Sequence, residues 1–138
     1  MTGTPLTGHF EATTSPIADY RLVTIGVNLP REILRPRIAA RVAQQFDRGV
    51  VDEVRALVAS GVPPAAHAFS GLVYRQIIEM LRGDRDEPAT RELIVQENMR
   101  YARRQLVWFR GEKNIHWFEG DDSLAARAIE FLRQNMKE

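Results

Sequence analysis

Apolar and polar positions alternate from Tyr20 onward. Leu22, Val23, Ile25 and Val27 predict a buried strand over about residues 20–29, ended by Pro30. The period then lengthens to that of a helix. Ile33, Ile38, Val42 and Phe46 form its apolar stripe, Glu32 favours its first turn, Pro36 sits near its start and Gly49 closes it. VVDEVRALVAS predicts a short second helix, stopped by Gly61 and the Pro63-Pro64 pair, with a loop over 62–69. SGLVYRQIIEMLRG predicts a third helix that stops at Gly83. The longest helix starts at Asp86 or Glu87, has Pro88 early and runs to Arg110. NIHWFEG gives a short strand over about 114–118. Asp121, Asp122 and Ser123 then cap a last helix to about Met136. Residues 1–19, rich in Thr, Gly and Pro, read as a loop-rich lead-in, and 20–138 as a single domain.

This order predicts a mostly helical α/β chain with two short strands and about five helices. A strand, a proline and a helix carrying R-x-x-x-R resemble the fourth strand and following helix of a P-loop kinase fold. The late strand and terminal helix resemble its last pair, and the resemblance implies that the two strands lie side by side and parallel. The fold class expected is therefore the C-terminal part of a P-loop NTPase-like fold.

Composition narrows the class further. A length of 138 residues fits one domain, and 44% hydrophobic with 27% charged residues is the balance of a soluble globular protein. No apolar run is long enough to span a membrane, so no membrane partner is expected. The first residues lack the charged and apolar regions of a signal peptide, and the absence of cysteine fits a reducing compartment; both lead to a cytoplasmic expectation. His9, His67 and His116 are scattered without ligand spacing, so no metal site is assigned. Asp52 and Glu53 point about 100° apart on a helix, and read as charges at a helix start rather than as a catalytic pair.

The net charge of +1 advertises no nucleic acid, but its distribution does. Five arginines and two glutamates fall between Arg91 and Arg110. At the helical period this stretch separates into two arcs. Arg100, Arg103 and Arg104 lie within about 100° of one another, a compact set of forks for phosphate. Met99, Tyr101, Ala102, Leu106, Trp108 and Phe109 fill the apolar arc, where Trp108 and Phe109 read as core. Gln105 falls among them and, as an uncharged donor and acceptor, suits a base edge. A second basic group, Arg31, Arg35, Arg37 and Arg41, follows the first strand. Arg37 and Arg41 share a helix face, either as a solvated surface or as a clamp for a diphosphate.

YARRQLVWFR resembles the C-terminal signature of tRNA dimethylallyltransferases, in which Tyr-Ala-Lys/Arg-Arg-Gln leads to Trp-Phe-Arg. The likeness continues in FDRGVVDEVRAL and in SGLVYRQ, where Tyr74, Arg75 and Gln76 match, and covers nearly the whole chain. Val73 stands where the family has glycine, Asn98-Met99 where it has Thr-Arg, and Val107 where it has Thr. The resemblance implies transfer of a dimethylallyl group from dimethylallyl diphosphate to the exocyclic amine of the adenine 3′ of the tRNA anticodon, with Mg²⁺. It makes Arg41, with Arg37, the diphosphate ligands, and Arg100, Tyr101, Ala102, Arg103, Arg104, Gln105, Tyr74 and Arg75 the face for the tRNA anticodon loop.

The family's phosphate loop, Gly-x-x-x-x-Gly-Lys-Ser/Thr, does not occur in this sequence. The family carries it, with its proposed catalytic aspartate, in an N-terminal half to which nothing here corresponds. Thr-Gly-x-Pro-Leu near Met1 matches a motif that normally lies mid-chain. The expectation is a C-terminal fragment with no catalytic residue and no Mg²⁺ ligand of its own, inactive alone and partnered by that missing half. The alternatives are a non-catalytic RNA-binding module and a helical interaction protein.

Overall fold

The structure is a computed structural model that describes residues 20–63 and 66–135. The expected lead-in over 1–19 and the end of the last helix at Met136 lie outside the described residues. Strand β1 spans Thr24–Asn28 and strand β2 Ile115–Glu119. They pair in parallel, Thr24 against Ile115 through Asn28 against Glu119. A parallel pair needs a crossover connection, and here four helices supply it. These are α1 (Arg31–Asp47), α2 (Val50–Ala59), α3 (Tyr74–Leu81) and α4 (Glu87–Arg110). Helix α5 (Leu124–Asn135) follows β2 and packs on it. Two strands and five α-helices among the described residues are the elements that the apolar pattern predicts, and the parallel pairing is the one that the P-loop likeness implies.

The core lies among the helices rather than on the sheet. Val42 and Phe46 of α1, Val50 and Val54 of α2, Ile77 and Ile78 of α3, and Ile94 and Val95 of α4 form one buried cluster with Phe69. Each such side chain contributes about 2 kcal/mol by leaving water. Gly49 makes the cluster possible. It adopts φ +86 between α1 and α2, a left-handed turn that glycine enters without a Cβ clash. At the head of α4 the Asp86 carboxylate accepts from the Ala89 N–H at 2.8 Å, and buried Thr90 donates its hydroxyl to the Asp86 carbonyl.

Several expectations change. The strand is shorter than the alternating stretch, and Leu22 and Val27 are exposed rather than buried, because the described sheet has only two strands. Ile33 is exposed too. It precedes the part of α1 that meets α2, so only Ile38, Val42 and Phe46 of its stripe reach the core. Pro36 is the sixth residue of α1, not part of its first turn, so the Glu32 carbonyl lacks its helical donor. The third helix begins at Tyr74, after a 3₁₀ turn over His67–Ser70. Trp108 and Phe109 are not core: Trp108 is 66% exposed and Phe109 38%. Helix α4 outruns the helices it packs on, and its last turns meet none of the core cluster.

Candidate functional site

The C-terminal half of α4 lies along β1, and a cleft of about 770 Å³ opens between them. Ile25, Gly26 and Val27 of β1, with Ile115 and Trp117 of β2, give it an apolar floor. Leu29 and Pro30 lead over its end into Arg31 and Leu34 of α1. From α4 come Met99, Arg100, Ala102, Arg103, Gln105, Leu106, Phe109 and Arg110. Among the described residues, four arginines therefore line this cleft and no carboxylate does. An apolar floor under a cationic rim accommodates a ligand with an apolar part and phosphate groups.

The arginines differ in their freedom. Arg100 donates to Glu97 at 2.6 Å, a pair one turn apart on α4. Arg31, Arg103 and Arg110 have no ion-pair partner among the described residues. Their guanidinium forks are thus unneutralised beside the cleft. At the entrance to α1 no side chain caps the helix, and the Pro30 carbonyl accepts from the Ile33 and Leu34 N–H groups. Asn98, which stands where the family has Thr, donates to the Ile94 carbonyl of its own helix at 2.8 Å. That bond explains its place without a ligand.

Of the residues that the sequence singles out, Arg100, Ala102, Arg103 and Gln105 come together in this cleft. Tyr101 and Arg104 do not line it. They lie elsewhere around α4, with the Arg104 guanidinium 5.7 Å from the Tyr101 ring centre. Arg37 and Arg41 are exposed along α1, away from the cleft lining and without an ion-pair partner among the described residues. Tyr74 and Arg75 sit on α3. Tyr74 donates its hydroxyl to Glu53, and that hydrogen bond, followed by burial, raises the phenol above its ordinary value. Arg75 lies 4.0 Å from Glu79. Glu53 is thus a hydrogen-bond partner as well as a charge at a helix start.

Sequence reading missed Trp117, Phe109 and Arg110 as parts of the cleft and left Arg31 without a role. Arg110 carried a signal, since it closes the signature stretch. Trp117 carried none, because only strand pairing brings it beside β1. Among the described residues there is no group of three or more His, Cys, Asp or Glu that could hold a metal ion. No described helix is long and apolar enough to cross a membrane.

Comparison with known proteins places this geometry. Residues 1–112 match the family model described as IPP transferase. A tRNA dimethylallyltransferase of Cutibacterium acnes is 39% identical over 137 residues, covering 92% of this chain and 42% of that protein. One of Streptomyces avermitilis is 39% identical over 120 residues, covering 87% and 38%. The crystal structure of the full-length tRNA isopentenylpyrophosphate transferase of Bacillus halodurans superposes with a TM-score of 0.76 at 28% identity, covering 94% of this chain and 43% of that one. The Staphylococcus epidermidis tRNA delta(2)-isopentenylpyrophosphate transferase gives 0.73 at 30% identity, covering 84% and 38%. The chain spans about two fifths of the length of the curated relatives it matches, and corresponds to their C-terminal part. By its sequence and its fold, this chain belongs to the IPP transferase family.

Proposed function

We propose that this chain supplies the RNA-facing and diphosphate-facing C-terminal part of a tRNA dimethylallyltransferase. The reaction joins the dimethylallyl carbon to the exocyclic amine of the adenine 3′ of the anticodon, and diphosphate leaves. One observation carries the reading: a cleft with an apolar floor that, among the described residues, is lined by four arginines and no carboxylate, in a chain of this family. Arg100 and Arg103 hold backbone phosphates of the anticodon loop, and Gln105 meets a base edge. Ala102 lies with Arg100 and Arg103 in the cleft, Tyr101 and Arg104 extend the RNA surface around α4, and Tyr74 and Arg75 of α3 serve as further RNA contacts. Arg37 and Arg41 serve the leaving diphosphate with groups that this chain does not contain. Mg²⁺, which the family likeness implies, takes its ligands from outside these residues, and no step here runs through it. A cytoplasmic setting goes with tRNA modification.

The experiment has two arms. Incubated with dimethylallyl diphosphate, Mg²⁺ and unmodified tRNA, the chain alone is expected to give no prenylated product. It is expected to bind an unmodified anticodon stem-loop RNA at low salt. Turnover above a no-protein control removes the claim that the chemistry needs further residues. Failure to bind the RNA removes the RNA-facing assignment.

A further inference from the structure

Beside the main cleft, a second groove of about 330 Å³ runs between α1 and α4. Its walls are Arg31, Arg35, Glu92, Gln96, Met99 and Arg100. Glu92, Gln96 and Arg100 follow one another at four-residue steps on α4, so they form one stripe facing α1. Arg31 and Arg35 form the matching step on α1. Three arginines and one glutamate line the groove, and with Glu97 paired to Arg100 an excess of one positive charge remains.

The one carboxylate is committed. Glu92 Oε1 accepts from the Arg35 guanidinium at 2.7 Å and from Gln96 Nε2 at 3.2 Å. The Gln96 hydrogen bond first, and the Arg35 charge with it, hold the Glu92 carboxyl below the usual carboxylate range. Glu92 thus points Arg35 across the groove and cancels only part of its charge. Both side chains of that pair are about half exposed, so the contact is weak and can share its guanidinium with another anion. Arg31 has no ion-pair partner among the described residues. Arg31, Met99 and Arg100 line both this groove and the main cleft, so the two are continuous.

We propose that this groove seats a backbone phosphate of the RNA strand whose neighbouring nucleotides lie in the main cleft. Arg31, Arg35 and Arg100 are its ligands, and Glu92 with Gln96 is the positioning pair that aims Arg35. The proposal rests on the RNA-facing reading of the main cleft. A phosphate suits the site better than a carboxylate ligand, because three forks can divide its oxygens among them.

The test uses the whole chain, an unmodified anticodon stem-loop RNA and, separately, inorganic phosphate. Arg31→Ala removes no ion pair among the described residues, and Arg35→Lys keeps the charge facing Glu92 but loses the fork, so both variants are expected to fold. Each is expected to weaken RNA binding roughly tenfold at low salt. Arg31→Ala also flattens the slope of log affinity against log salt by about 0.7. The Nε–Hε NMR signals of Arg31 and Arg35 should move as RNA is added. Inorganic phosphate that moves these signals, while RNA affinity ignores both variants, would make the groove a free-anion site and overturn the RNA assignment. Native affinity and slope in both variants, with Arg103→Ala still weakened, overturns the groove and leaves the main cleft standing. No RNA binding by any form, Arg103→Ala included, overturns both.

Discussion

Gly26 and Trp117 are partners in the parallel ladder, and a Cβ built on Gly26 would stand 2.6 Å from Trp117 Cε3. The indole lies against the strand where a side chain would be. The floor of the main cleft is therefore made by an absence on β1 and a ring from β2. Gly26→Ala forces the ring off this position or the strands apart. The expected cost is about 1–3 kcal/mol, the range for overpacking a well-filled site. Urea unfolding followed by circular dichroism measures it, and an unchanged midpoint would show that the ring yields freely.

Gln76 is 1% exposed on α3, and neither its Nε2 nor its Oε1 has a hydrogen-bond partner among the described residues. A buried amide left without partners costs stability that an apolar side chain of similar volume restores. Gln76→Met is expected to stabilise the chain by about 1–2 kcal/mol. A lower unfolding midpoint in this variant would show that the amide is bonded in solution.

Tyr74 titrates above the ordinary tyrosine range because its hydroxyl donates to Glu53, with burial adding to the effect. A raised folded value means that the folded chain binds the proton more tightly than the unfolded one. The stabilisation is complete below the unfolded tyrosine value, near about 10, and disappears as pH rises through the folded value. Glu53→Gln is expected to bring the Tyr74 titration, read by absorbance near the phenolate band and assigned with Tyr74→Phe, back toward normal. An unmoved titration would rule out the contact.

On α4 the two polar groups of the signature should part company. Arg103→Ala is expected to weaken RNA binding and flatten the salt slope by about 0.7, the share of one single-strand phosphate contact. Gln105→Ala should weaken binding with the slope unchanged, because an amide releases no counterion. Filter binding at several salt concentrations separates them. Native slope and affinity for Arg103→Ala would make this part of α4 scaffold.

Much of this protein is decided locally. The two strand segments, the helix order, the turn at Gly49 and the cap at Asp86 follow from period, punctuation and side-chain capping, which neighbouring residues settle among themselves, whereas the parallel pairing of the strands joins residues far apart in the chain. The density of arginine on α4 is also a property of the sequence. The tertiary structure decided which of those residues meet. Arg100, Arg103 and Gln105 reach a cleft because β1 runs beneath that half of α4, whereas Arg37 and Arg41 stay on an open face of α1. Trp108 and Phe109 have the chemistry of core residues, yet they stay exposed because α4 extends beyond the helices that could bury them. Arg31 stands at one end of the crossover, and it joins Arg100 only when α1 packs against α4. Burial and convergence depend on residues far apart in the chain, and a helical or strand period reports which face a side chain shares, not what that face will meet.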